Sequence, residues 1–179
     1  MSHAFQWTDA AVRAALSQPR PSEDTNRPVF SQVSTDTRAL RNGALFVALV
    51  GERFDAHDFV EEAVGAGATG LVVSRPVDVR EGVAVYQVRD TLVALGDLAR
   101  FRRRTLGARV VGVTGSSGKT TTKEFIRAAL EPTLRTHATT GNLNNRIGLP
   151  LTILGAPQNV EALVLEMGTS EPGEIAAAL

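Results

Sequence analysis

Thr114-Gly-Ser-Ser-Gly-Lys-Thr-Thr121 is the stretch whose residue types and spacing best suit chemistry. Gly115 and Gly118, with Ser116 and Ser117 between them, let the backbone turn tightly and bring amide N–H groups close to phosphate oxygens. Lys119 follows where a helix is predicted to begin, and its ammonium can reach β- and γ-phosphates as a mobile point charge. Thr120, followed by Thr121, offers a hydroxyl suited to a nucleotide-bound Mg2+. The helix N-terminus adds further N–H groups and the positive end of its dipole. The strict Walker spacing asks for glycine at position 113, which is Val113, so the chain carries the shorter Gly-x-x-Gly-Lys-Thr form. Only two of the 19 basic residues are lysines, Lys119 and Lys123. A lysine in a chain that otherwise uses arginine favours a nucleoside-triphosphate site over a chance glycine turn.

Other stretches are open to two readings on spacing alone. Thr139-Thr-Gly-Asn-Leu-Asn-Asn-Arg-Ile-Gly-Leu-Pro150 places Asn142, Asn144 and Asn145 in a glycine-bounded loop. Their amides suit phosphate or sugar, and asparagine also suits a plain turn. Glu166 ends the apolar run Ala162-Leu-Val-Leu. At the carboxyl end of a strand it is either a metal ligand near the phosphate loop or a solvated strand end. Ser34-Thr-Asp-Thr-Arg38 and Gly51-Glu-Arg-Phe-Asp-Ala-His-Asp58 are polar clusters in which local turn and cap chemistry accounts for Asp36 and Asp58. His57 reads as a surface histidine with a site role as the alternative. The arginines from Arg100 to Arg104 read as a solvated helix end, without the spread of basic and aromatic residues that nucleic acid needs.

The elements that must position these residues follow from periodicity. Thr8 caps a helix running to about Ser17; Arg20 to Pro28 is a loop that holds Pro21 and Pro28 and follows Pro19. Ala44 to Val50 is a continuous apolar run, predicting a strand buried on both faces. A helix is predicted from His57 to Val64, and strands over Leu71–Val73 and Val83–Val88. Asp90 caps a helix with Leu92, Val93, Leu95, Leu98 and Phe101 as its apolar face. A strand over Arg109–Val113 leads into the glycine turn and a helix over Lys119–Leu130, with Phe125, Ile126 and Ala129 on one face. Strands near Thr133–Ala138 and Ala162–Glu166 complete an α/β pattern with a mainly parallel sheet. A junction near Thr105–Ala108 divides residues 1–106 from residues 107–179. The final Glu174-Ile-Ala-Ala-Ala-Leu179 reads as a helix start without a stop signal, so the sequence is expected to end within an element.

Formal net charge is zero, which provides no bulk field for nucleic acid or an acidic membrane surface. Cysteine is absent, which excludes disulfides and thiolate metal sites. No apolar run is long enough for a membrane-spanning helix, and the first residues lack a secretory pattern. The expectation is a cytoplasmic protein without membrane insertion; oligomeric state is not legible.

Taken in order, these segments resemble the Mur ligase family over essentially the whole chain. Thr35-Asp-Thr-Arg38, Gly43-Ala-Leu-Phe-Val-Ala-Leu49 and Gly51-Glu-Arg-Phe-Asp-Ala-His-Asp-Phe59 are similar to its N-terminal domain, which receives a UDP-sugar peptide. Thr114–Thr121 is similar to its nucleotide loop and Gly141-Asn-Leu-Asn-Asn145 to its substrate-side loop. Glu166-Met-Gly168 with Gly173-Glu-Ile175 is similar to the segment carrying an Mg2+-binding glutamate. The Arg-Phe-Asp-Ala-His-Asp-Phe and Gly-Asn-Leu-Asn-Asn strings look most like the branch that joins D-alanyl-D-alanine to UDP-N-acetylmuramoyl tripeptide. Another ligase of the family, or a folylpolyglutamate-type ligase, is the alternative within this class. A non-catalytic nucleotide-binding fragment and a small kinase are alternatives outside it.

The resemblance implies an N-terminal α/β domain and the first part of a P-loop ATPase domain. It also implies ATP and Mg2+ as cofactors, and an acyl phosphate between the two half-reactions. Lys119 and Glu166 become the catalytic candidates. Gly115, Ser116, Ser117, Gly118, Lys119, Thr120 and Thr121 become the nucleotide site, and Thr120 and Glu166 the metal ligands. Thr35, Asp36, Arg38, Asn142, Asn144 and Asn145 fall to the substrates. Ser170-Glu171 departs from the Asn-His of some members and receives no role. Without the family's further domain, the 179-residue chain is expected not to catalyse ligation.

Overall fold

The computed structural model describes residues 5–19, 28–52 and 54–168. Most of the proline loop, Arg53, Ser170, Glu171, Gly173–Ile175 and the final helix start lie outside the described residues. The chain divides into two compact units, Phe5–Leu98 and the residues from Ala99 onward.

In the first unit, β1 (Trp7–Thr8) pairs antiparallel with β2 (Val29–Phe30). Thr8 caps α1 (Asp9–Ala15), its hydroxyl accepting from the Ala11 N–H at 3.2 Å. A parallel four-stranded sheet has the order β3-β4-β5-β6, formed by Val33–Ser34, Ala44–Val47, Ala68–Val73 and Ala84–Gln87. A 3-10 turn at Ala56–Phe59 runs into α2 (Val60–Gly65). The apolar run from Ala44 leaves the sheet earlier than expected. Val50 bridges back to Asp55 in antiparallel fashion, and the Gly51 N–H donates to the Phe54 carbonyl, so the run ends in a tight loop. Phe46, Val60, Ala63, Leu71 and Val73 form the core between sheet and helix.

Asp90 caps α3 (Thr91–Leu106), accepting from the N–H groups of Leu92 and Val93; the division between the units falls within this helix. Its inward stripe is Leu95, Leu98, Ala99, Arg102 and Leu106, while Val93 is 53% exposed. Arg102 is therefore not part of a solvated helix end. Helical spacing places it in line with Leu95, Leu98 and Leu106, and it donates to the Ala156 carbonyl at 2.9 Å and to Gln158 Oε1 at 2.7 Å. Burial pushes its guanidinium down to about 10.

The second unit holds a parallel three-stranded sheet of order β7-β9-β8, formed by Arg109–Val113, Ala162–Glu166 and Thr136–Ala138. The central β9 is buried at every position, as a continuous apolar run in a covered parallel sheet requires. Leu163 and Leu165 pack on Leu149 and Ile153 of α5 (Gly148–Leu154). On the other face Val164 packs with Ile126 and Leu130 of α4 (Lys119–Leu130). Sequence periodicity does not predict α5; its Pro150 is tolerated because it falls in the first turn, where N–H groups lack helical partners. Phe125 does not join the core expected for it and is 72% exposed, because the inward stripe of α4 is Lys123, Ile126 and Leu130.

Candidate functional site

The turn between β7 and α4 owes its path to two glycines, Gly115 at φ 148° and Gly118 at φ 74°. Both values lie where a Cβ would be strained. Gly118 is the N-cap and provides no side-chain cap, so the first N–H groups of α4 remain available to an anion. Ser116, Ser117, Thr120 and Thr121 are exposed around them. Lys119 is half-buried and folds back over the loop, its Nζ donating to the Gly115 carbonyl at 2.7 Å.

Glu166, at the carboxyl end of β9, is 3% exposed and faces this turn. The Thr120 hydroxyl donates to its Oε2 at 3.0 Å, and Asn144 Nδ2 donates to its Oε1 at 2.9 Å. Its N–H donates to Thr139 Oγ1 at 3.0 Å. The two residues assigned to a metal on sequence grounds, separated by 46 positions, are thus in direct contact. Two oxygens that are adjacent ligands of an octahedral Mg2+, each about 2.1 Å from it, lie about 2.9 Å apart. The Thr120–Glu166 pair already has that separation, and both donors are hard oxygens, so the residues fit Mg2+. Among the described residues no group of three or more acidic or histidine side chains could hold a metal. This pair therefore suits an ion whose remaining ligands are phosphate oxygens and water.

The asparagines separate by role. Asn144 reaches Glu166, and its carbonyl also accepts from the Gly168 N–H at 2.7 Å. Asn145 Oδ1 accepts from the N–H groups of Ile147 and Gly148 at 3.1 and 2.7 Å, which holds the start of α5. Asn142 is exposed.

In the first unit, Asp36 Oδ1 caps the 3-10 turn Thr37–Ala39 through the Arg38 N–H, and its Oδ2 pairs with Arg38 at 2.8 Å. The hydrogen bonds from Arg38 hold the Asp36 carboxyl down at about 2. Thr35 is half-buried, and the Arg38 side chain is 86% exposed. His57 is not a surface residue: it is 3% exposed. Its Nε2 accepts from the Ser74 N–H at 2.8 Å, which leaves the ring proton on Nδ1, 2.5 Å from Asp55 Oδ1. The His57 N–H also holds the Asp55 carboxyl below its ordinary range. With both nitrogens engaged, His57 joins β5 to the loop after β4. Arg75 adds ion pairs to Asp58 at 2.9 Å and Asp55 at 3.4 Å.

Two residues of the Glu166 cluster were not singled out as site residues from sequence. Lys123 is 2% exposed and donates to the Thr139 carbonyl at 2.7 Å; the rarity of lysine was the available signal. Thr139, 1% exposed, had none.

Comparison with known proteins shows what the chain is similar to. A family model described as the Mur ligase middle domain matches residues 113–178, and one described as the Mur ligase family catalytic domain matches residues 29–103. The chain is 50% identical over 165 residues to the UDP-N-acetylmuramoyl-tripeptide–D-alanyl-D-alanine ligase of Bacillus subtilis, covering 92% of this chain and 35% of that protein. It is 50% identical over 144 residues to the Escherichia coli enzyme of the same name, covering 80% of this chain and 31% of that one. The chain thus spans 35% or less of the length of these two curated relatives. A crystal structure of MurF from Acinetobacter baumannii superposes with a TM-score of 0.85 at 36% identity, covering 98% of this chain and 38% of that one. MurF from Thermotoga maritima in complex with ADP gives 0.74 at 40% identity, covering 82% of this chain and 34% of that one.

Proposed function

The chain belongs to the Mur ligase family, and on that premise we propose that it carries the nucleotide site of an ATP-dependent ligase. That ligase joins D-alanyl-D-alanine to UDP-N-acetylmuramoyl tripeptide in the cytoplasm. The observation that carries the reading is the contact of Thr120 and Glu166 at the mouth of a glycine turn whose N-cap, Gly118, offers the helix N–H groups no side-chain partner.

In the proposed reaction the terminal carboxylate of the tripeptide attacks the γ-phosphorus of ATP, giving an acyl phosphate and ADP. The amine of D-alanyl-D-alanine then attacks the acyl carbon; the C–O bond to phosphate breaks, inorganic phosphate departs with the electron pair, and the new amide nitrogen gives its extra proton to solvent. The work asked of the protein is positioning and charge neutralisation. Lys119 exchanges its Gly115 carbonyl for β- and γ-phosphate oxygens, and the N–H groups from Gly115 to Thr121 line the same phosphates. Thr120 and Glu166 would hold Mg2+, which neutralises phosphate charge when bound. Asn144 keeps the Glu166 carboxylate turned toward the loop. Asn142 and the free amide of Asn145 would face the acceptor substrate. Thr35, Asp36 and Arg38 would take the uridine nucleotide within residues 1–106, with residues 107–179 supplying the ATP side.

Calorimetry of this chain with ADP, with and without Mg2+, tests the nucleotide half; binding that is absent in both conditions refutes it. Titration with UDP-N-acetylmuramoyl tripeptide, followed by NMR, tests the other half, with shifts expected at Thr35–Arg38. Silence there at saturating ligand removes the substrate assignment while leaving the nucleotide site standing.

A further inference from the structure

The chain places both of its lysines on successive turns of α4, and the second is buried beside the carboxylate assigned to the metal. Lys123 Nζ lies 3.9 Å from Glu166 Oε2 and 3.1 Å from Glu124 Oε1. Its hydrogen bond to the Thr139 carbonyl fixes the ammonium from the main chain. Thr139 in turn accepts the Glu166 N–H and donates its own N–H to the Val164 carbonyl. The result is a closed ring of bonds joining α4 to the carboxyl ends of β8 and β9. A planar guanidinium would need a wider set of acceptors in the same space; a compact point charge suits one carbonyl and two carboxylates.

We propose that Lys123 is a positioning residue, the internal counter-ion of Glu166, and that it makes divalent-cation binding at this site conditional on nucleotide phosphates. This rests on the nucleotide-site reading above. A buried carboxylate without a counter-ion would attract a bare divalent ion. Here one buried ammonium offsets one buried carboxylate, and Lys119 adds a second positive charge across the loop. Glu124, with its side chain 46% exposed, is screened by water and restores little. Among the described residues a bare cation therefore meets no net negative charge at Glu166, whereas a cation arriving with phosphates brings its own. Between nucleotides, Lys123 with the Thr120 hydroxyl and the Asn144 amide keeps Glu166 charge-balanced and in place.

Titration of the chain with Mn2+, followed by electron paramagnetic resonance with and without ADP, tests this. The wild type should hold Mn2+ weakly alone and tightly with ADP. Lys123→Met, which keeps the stem and removes the charge, should bind Mn2+ alone about tenfold more tightly and gain correspondingly less from ADP. Equal or weaker Mn2+ binding by a folded Lys123→Met overturns the inference, since a residue that only fills space would give that result. A measurement on the wild type stands if the variant does not fold. Labelling lysine with 15N gives two side-chain signals, and the Lys123 ammonium should ignore Mg2+ alone and shift when Mg2+ and ADP are added together. A shift with Mg2+ alone overturns the inference and leaves nucleotide binding intact. Silence of both lysines with Mg2+ and ADP overturns the nucleotide reading itself.

Discussion

Gly148→Ala should disturb the fold and the candidate metal site together, and the structure sets the size of the effect. A Cβ at Gly148 would lie 2.4 Å from Leu143 Cα and 2.6 Å from its carbonyl carbon. Ordinary contact begins at 3.4 Å, so the main chain at Leu143 must retreat by about 1 Å, an overpacking that costs about 1–3 kcal/mol. No rotamer change relieves it, because the opposing atoms are backbone. Alanine at a helical glycine returns about 0.5–1 kcal/mol, so the net loss lies between about 0 and 2.5 kcal/mol, centred near 1. Asn144 adjoins Leu143, and its 2.9 Å bond to Glu166 would be stretched out of hydrogen-bonding range by the same displacement. A Cβ at Gly96, inside α3, would meet nothing within 4 Å, and Gly96→Ala should therefore gain about 0.5–1 kcal/mol. Urea unfolding of both variants, with Mn2+–ADP titration of Gly148→Ala, provides the comparison. A Gly148→Ala chain as stable as wild type and with unchanged Mn2+–ADP affinity would refute the close-packing argument.

Lys119→Ala should lose about 1.5–3 kcal/mol of ADP affinity for each charged contact removed, with an unchanged melting curve because Lys119 leaves only a loop carbonyl behind; calorimetry and thermal denaturation check the two halves. Thr120→Val keeps the volume and removes a metal ligand, so ADP affinity should lose much of its response to Mg2+, and a response equal to wild type would exclude Thr120 from the site. The Asp36 carboxyl, held at about 2 in the folded chain against an ordinary 3.8, should titrate near that low value by NMR. Because the folded value is depressed, its contribution to stability is present above the ordinary value and is lost as pH falls from there toward 2. Exposure keeps that contribution small. Arg38→Ala should return the midpoint toward 3.8, and an unmoved midpoint would show that Arg38 is not the cause.

What the sequence determined by itself is local. The strand, glycine turn and helix around Lys119 lie within a single stretch, and their conformations depend on glycine φ values and unpaired N–H groups in that stretch. The caps at Thr8 and Asp90 were legible for the same reason, since each acts within three residues. Alternation of apolar strands with helices indicated the parallel α/β class. Tertiary structure decided which side chains those elements bring together. Insertion of β9 between β7 and β8 sets Glu166 beside the glycine turn and Thr139 beside Glu166, and no spacing along the chain encodes that strand order. Periodicity identified α4 as a helix; the sheet beneath it turned Lys123 inward and left Phe125 in water. Arg102 and His57 were misjudged for a related reason. A charged or polar side chain is buried when distant carbonyls, carboxylates or N–H groups satisfy it, and those partners come from other elements or across turns that only the folded chain brings into reach.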